Sequence, residues 1–163
     1  MLKNPYCIEI TLLQEIELQS SQLLTIEKSK GKNQYRLLIG PNKKFLCLQN
    51  DEVFKPIHIK TKKSLLEPKD ARQSSFFHSL YENEEVLLSV CLGQAGTGKT
   101  SIALSYALDQ LNLTNKKIVL SKPTYKIGKT GAFGPVPGDI DQKYAPYLNS
   151  YKIAIKKLLG HKS

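Results

Sequence analysis

Over the first sixty residues the apolar positions fall into short runs rich in β-formers: Leu23–Glu27, Tyr35–Ile39, Phe45–Gln49 and Phe54–Lys60. Lys28-Ser29-Lys30-Gly31-Lys32-Asn33, Gly40-Pro41-Asn42 and Asn50-Asp51 separate them. Runs of this length, punctuated by Gly, Pro, Asn and Asp, predict an antiparallel meander. Leu37-Leu38-Ile39 and Phe45-Leu46-Cys47-Leu48 lack alternation, as strands covered on both faces do. Residues 8–18 fit a strand or a helix, and periodicity does not choose between them. The stretch Lys60–Lys69, with Lys62, Lys63 and Pro68, reads as a linker. It divides the chain into a β-rich part over residues 1–67 and a second part over residues 68–163.

The second part has a different pattern. Ala71–Leu80 suits a helix with Phe77 and Leu80 on one face. Val86-Leu87-Leu88-Ser89-Val90-Cys91-Leu92 is an apolar run of the kind a doubly buried parallel strand requires. A glycine-rich turn follows, then a helical stretch from Lys99 to about Leu111, then a second buried-strand pattern, Lys117-Ile118-Val119-Leu120. Strand, helix and strand in this order predict a βαβ unit and a parallel sheet. A last helix is expected from Pro146 to Gly160, with Leu148, Tyr151, Ile155 and Leu158 as its buried stripe.

The turn between the first apolar run and the helix carries the chemistry. Gly93-Gln94-Ala95-Gly96-Thr97-Gly98-Lys99-Thr100 fits G-x-x-x-x-G-K-[ST], the phosphate-binding Walker A pattern. Glycines at 93, 96 and 98 permit backbone angles that turn successive N–H groups toward one anion. The helix starting at Lys99 adds the positive end of its dipole. Lys99 would reach the β- and γ-phosphates, and the Thr100 hydroxyl would take one position on Mg²⁺. Gln94, Ala95, Gly96, Thr97, Gly98, Lys99, Thr100 and Ser101 form the expected nucleotide-binding stretch. Lys99 and Thr100 are its catalytic candidates, with Thr100 also the metal ligand.

Beyond this loop the sequence resembles the PhoH family of P-loop ATPases, relatives of superfamily 1 helicases. The resemblance covers roughly residues 68–160. It rests on Val119-Leu120-Ser121-Lys122-Pro123-Thr124, on Gly128, on Gly131-Ala132-Phe133-Gly134-Pro135-Val136-Pro137-Gly138-Asp139, and on Lys143 and Pro146-Tyr147-Leu148. Upstream, Gln73 stands about where the family carries a glutamine that reads the adenine edge. Lys122 replaces the family's usual arginine, the Gly131–Asp139 loop is longer than usual, and Lys129 stands where an acid is common. The resemblance implies an α/β fold: a RecA- or helicase-like parallel-sheet core preceded by a small antiparallel β-rich subdomain. It also implies ATP and Mg²⁺ as cofactors, and ATP hydrolysis coupled to nucleic-acid handling, with RNA the favoured substrate. Such hydrolysis needs a Walker B acid at the end of a further buried strand. After Thr100 the acids are Asp109, Asp139 and Asp141, and none follows an apolar run. The core is therefore expected to be incomplete, and this chain to bind nucleotide with weak or no turnover alone. A fragment or shortened gene product, a second complementing polypeptide, or cover from the β-rich part all fit that gap, and the expected protein partners are a homo-oligomer or such a second polypeptide.

Composition narrows this picture only a little. The chain has 163 residues, 40% hydrophobic and 23% charged, in the usual range for a globular domain. No apolar run approaches the ~18–20 residues that span a bilayer, and the first five residues lack the pattern of a signal peptide. Cys7, Cys47 and Cys91 lie far apart without metal-ligand spacing, which fits a reducing, cytoplasmic setting. The net charge of +10 is uneven, at +7 over residues 21–69 and +8 over residues 116–163. Solvated lysines and contact with single-stranded RNA or DNA both fit it. Tyr125, Lys126, Lys129 and Phe133 have the composition of a single-strand platform or of a loop ordered by its neighbours. The alternative to an ATPase is a non-enzymatic basic module that binds nucleic acid. His58, His78 and His161 stand alone and are expected to be structural. Phe76 and Phe77, beside Gln73, fit stacking on adenine or packing on the helix face.

Overall fold

A computed structural model describes residues 6–59, 64–114, 116–121 and 140–160, the last range with side chains from Leu148 onward. The chain divides into two compact units, Met1–Lys60 with Pro68–Val90, and Thr61–Glu67 with Cys91–Ser163.

The first unit is built on a five-stranded sheet in the order β1-β3-β4-β5-β2. Its strands are β1 (Cys7–Glu9), β2 (Leu24–Thr25), β3 (Gln34–Ile39), β4 (Lys44–Asn50) and β5 (Val53–Pro56). β3, β4 and β5 form the expected antiparallel meander, while β1 adds to β3 in parallel and β2 to β5 antiparallel. The sheet is therefore mixed. Residues 8–18 resolve into both alternatives, because β1 is followed by helix α1 (Leu12–Ser21). Thr11 starts that helix with a capping box: its hydroxyl accepts from Gln14 N, and Gln14 Oε1 accepts from Thr11 N at 2.9 Å. The core gathers Ile10 and Leu18 with Leu24, Leu38, Cys47 and Phe54 of the strands. The Glu15 carboxylate, buried beside them, accepts from Asn42 N at 3.0 Å and so fixes the turn between β3 and β4. A Cβ at Gly40 would collide with that carboxylate.

Helix α2 (Ala71–Tyr81) joins this unit through polar contacts. Tyr6 Oη donates to Ala71 O at 3.1 Å and lies 3.0 Å from Ser75 Oγ. Tyr35 Oη meets His78 Nδ1 at 3.0 Å, with the rings edge to face. Burial holds His78 below the usual imidazole range; Glu82 opposes this and Lys55 adds to it. Phe77 is fully buried and stacks on Tyr81 at 4.0 Å, so it packs the helix face and is not open to adenine.

The second unit contains α3 (Lys99–Leu113) and α4 (Ile140–Gly160). α3 buries Ile102, Leu104, Ser105 and Asp109, and α4 buries Leu158. Asp109 Oδ2 accepts from Leu65 N at 3.3 Å, which ties the end of the linker to α3. α4 starts six residues before Pro146, so the proline lies inside the helix, where it forgoes one backbone bond. Its expected stripe is only partly buried: Tyr151 and Ile155 are half-buried and Leu148 is exposed.

The expected parallel core is not formed among the described residues. Val86–Leu92 and Lys117–Leu120 have no strand partners there. Leu87 is 99% exposed, Leu88 81%, Leu92 89% and Val119 88%. A doubly apolar strand is held by a ladder on each side and cover on each face, and the described residues provide neither.

Candidate functional site

The apolar run ending at Leu92 leads into a loop that closes on the first turn of α3. Gly96 has φ +79° and Gly98 φ +87°, both left-handed. Nothing lies within 4 Å of a Cβ at Gly96, so its backbone angle is what asks for glycine. Gly93 differs: its φ is outside the left-handed region, and a Cβ there would meet only Thr97 Oγ1 at 3.4 Å and Lys99 Cδ at 3.8 Å. The expectation that all three glycines serve backbone angles thus holds for two.

Gly98 caps α3 without any side-chain hydrogen bond, and no acid stands in the first turn. The first amides of a helix lack intrahelical acceptors and carry the positive end of its dipole. They suit an anion. Lys99 lies among them with its ammonium folded onto its own loop. Nζ donates to Gly93 O at 2.8 Å, to Gln94 O at 2.5 Å and to Thr97 Oγ1 at 3.4 Å. Thr97 Oγ1 in turn donates to Gln94 O at 2.8 Å. Gln94, Ala95, Gly96, Thr97 and Thr100 are exposed, while Gly98, Lys99 and Ser101 are half-buried. Ser101 also lines a cleft of about 310 Å³ with Leu66, Ser150, Ile153 and Lys157.

The loop therefore gathers residues 93–101 at one helix end. Gln73 belongs to the other unit, in the first turn of α2. Asp70 Oδ1 accepts from Gln73 N, and Gln73 Oε1 accepts from Lys69 N, both at 2.8 Å. This is a helix cap, and Asp70-Ala71-Arg72-Gln73 carried its sequence signal. Thr100 brings a hydroxyl suited to one position on Mg²⁺. Among the described residues no group of three His, Cys, Asp or Glu could hold a metal ion. Asp109 is committed to Leu65 N inside its own unit. The expected single-strand platform, Tyr125, Lys126, Lys129 and Phe133, lies outside the described residues, as do Lys122 and the Gly131–Asp139 loop.

Comparison with known proteins converges on the same stretch. The family model described as PhoH-like protein matches residues 65–163. A PhoH-like protein of Bacillus subtilis (strain 168) is 40% identical over 70 residues, covering 42% of this chain and 21% of that protein. A PhoH-like protein of Synechocystis sp. is 31% identical over 97 residues, 58% of this chain and 28% of its relative. Protein PhoH of Escherichia coli (strain K12) is 31% identical over 90 residues, 54% of this chain and 25% of that protein. The chain thus spans between 21% and 28% of the lengths of these relatives. No solved structure matches. No described helix is long and apolar enough to cross a membrane.

Proposed function

This chain belongs to the PhoH-like protein family, and from that premise we propose that residues 93–101 bind the phosphates of ATP. One observation carries the reading: two left-handed glycines open an acid-free helix N-terminus beside a lysine. Lys99 Nζ donates to two carbonyls of its own loop. Binding exchanges those acceptors for the β- and γ-phosphate oxygens, and the amides of residues 96–101 supply the other donors. Mg²⁺ neutralises phosphate charge when bound, and Thr100 is the residue here that would hold it. Gln73, whose Oε1 accepts from Lys69 N, is the residue the family resemblance offers for the adenine edge.

Turnover by this chain alone is weak or absent in this reading. An attacking water needs a base or orienting carboxylate, and Asp109, the one acid of α3, serves the linker instead. The runs at 86–92 and 117–120 become strands of a parallel RecA-like core once they are covered. In the cytoplasm the two basic segments would engage RNA ahead of DNA, with ATP hydrolysis coupled to nucleic-acid handling in the longer relatives. A titration with a fluorescent ATP analogue and Mg²⁺ tests the site. Lys99→Ala is expected to abolish binding, and affinity equal to wild type overturns the assignment. An RNA titration against salt, with and without ATP, separates this reading from a purely basic module, which would show a steep salt slope and no nucleotide effect.

A further inference from the structure

We propose that the cleft between α3 and α4 takes the nucleoside of the nucleotide whose phosphates residues 93–101 hold; the inference rests on that phosphate-binding reading. The cleft, of about 310 Å³, lies wholly within the second unit. Small-molecule sites run from ~300 to ~1,000 Å³, so this one suits a single ring system with its sugar and little more. Leu66, Ala154 and Leu158 give it apolar lining, and Ser101, Ser150 and Lys157 give it polar lining. Apolar walls suit the faces of a heterocycle, and a few polar groups suit its edge and the ribose hydroxyls. The lining includes no acid that would repel a neighbouring phosphate.

Ser101 decides the occupant. It is the third residue of α3 and the one member of residues 93–101 that lines the cleft. Lys99 takes the β- and γ-phosphates in the phosphate-binding reading, so the α-phosphate and the sugar leave toward the other end of the bound stretch. The nucleoside therefore enters where loop and cleft share a residue. The wall bearing Leu66 is held onto α3: the buried Asp109 accepts from Leu65 N through Oδ2 at 3.3 Å, and Leu66 O accepts from Ser64 Oγ at 2.9 Å. A wall already in place lowers the ordering cost of binding. Gln73 stands apart from this arrangement. It belongs to the other unit, where its Oε1 accepts from Lys69 N at the start of α2.

Equilibrium binding of two probes in excess Mg²⁺, ATP and inorganic tripolyphosphate, separates the cleft from the loop. ATP is expected to bind at least about tenfold more tightly, because burying the heterocycle removes apolar surface from water. Ala154→Phe, which fills the cleft, is expected to bring ATP down to the affinity of tripolyphosphate and to leave tripolyphosphate unchanged. Ser150→Trp, at an exposed position, is expected to do the same without placing bulk in the packed interior. Lys99→Ala is expected to abolish binding of both probes. Irradiated 2-azido-ATP is expected to label Leu66 or residues 150–158, read by mass spectrometry of the digested chain. Three results overturn the inference and leave the phosphate site standing: tripolyphosphate binding as tightly as ATP, wild-type ATP affinity in both cleft variants, or label chiefly outside those residues, the α2 turn around Gln73 included. A wild-type chain that binds neither probe overturns the phosphate-binding reading, and the inference with it.

Discussion

Gly96 and Gly93 ask different things of their backbones, and substitution separates them. Alanine at Gly96 must hold a left-handed angle, which costs about 1–2 kcal/mol. Gly96→Ala is therefore expected to weaken ATP binding roughly tenfold, while Gly93→Ala, whose new methyl meets ordinary contacts, stays within about twofold of wild type. Equal affinities for the two variants in a nucleotide titration would show that the left-handed angle does not shape the site. Cysteine reactivity is a second residue-scale readout. Burial pushes the Cys47 thiol up to about 12, so it stays protonated and inert in neutral solution. Timed iodoacetamide labelling with mass spectrometry is expected to modify the half-buried Cys7 and Cys91 first. Early alkylation of Cys47 would mean that β4 opens in the native protein.

Among the elements, α2 depends on a neutral imidazole. His78 is held below its unfolded value of 6.5 chiefly by burial, and its ring nitrogen meets the Tyr35 hydroxyl. A depressed folded value gives stability that is complete above the unfolded value and lost as pH falls through the folded one. The melting temperature is expected to hold above about pH 6.5 and to drop below it, and His78→Gln should flatten that slope. An unchanged slope in the variant would assign the pH dependence elsewhere. What the sequence disclosed about elements follows how local each signal is. β3 and β4 were legible to within a residue because Gly40-Pro41-Asn42 and Asn50-Asp51 mark their ends. The split of residues 8–18 was readable from Thr11-Leu12-Leu13-Gln14, a capping box that periodicity cannot register. Asp70 and Gln73 carried the same signal for α2. The phosphate loop was legible because its requirements lie within nine consecutive residues. The runs at 86–92 and 117–120 were legible as a preference and not as a structure, since strand propensity expresses a fit to neighbours. Those neighbours are not in the described chain.

At the scale of the whole molecule, exposed large apolar side chains stand out among the described residues of both units. Leu87, Leu88 and Val90 of one unit and Leu92, Leu113 and Val119 of the other are all exposed large side chains. Patches of this kind bind apolar dyes and promote association. The folded chain is expected to enhance ANS fluorescence strongly, and single lysine substitutions at Leu87 and Val119 should each reduce the signal while the circular dichroism spectrum stays unchanged. A native chain that leaves ANS dark would show these side chains already covered. The way the units share the sequence has a consequence of its own. The polypeptide passes from one unit to the other three times, after Lys60, after Glu67 and after Val90. Neither unit is a continuous stretch, so no single cut releases one whole from the other. A protease nick at the first or third passage leaves two covalent crossings between the units, and the severed piece is then held only by packing within its own unit. The gene cannot be divided at one point into two self-sufficient halves, and the loop of residues 93–101 begins only two residues past the last of these seams.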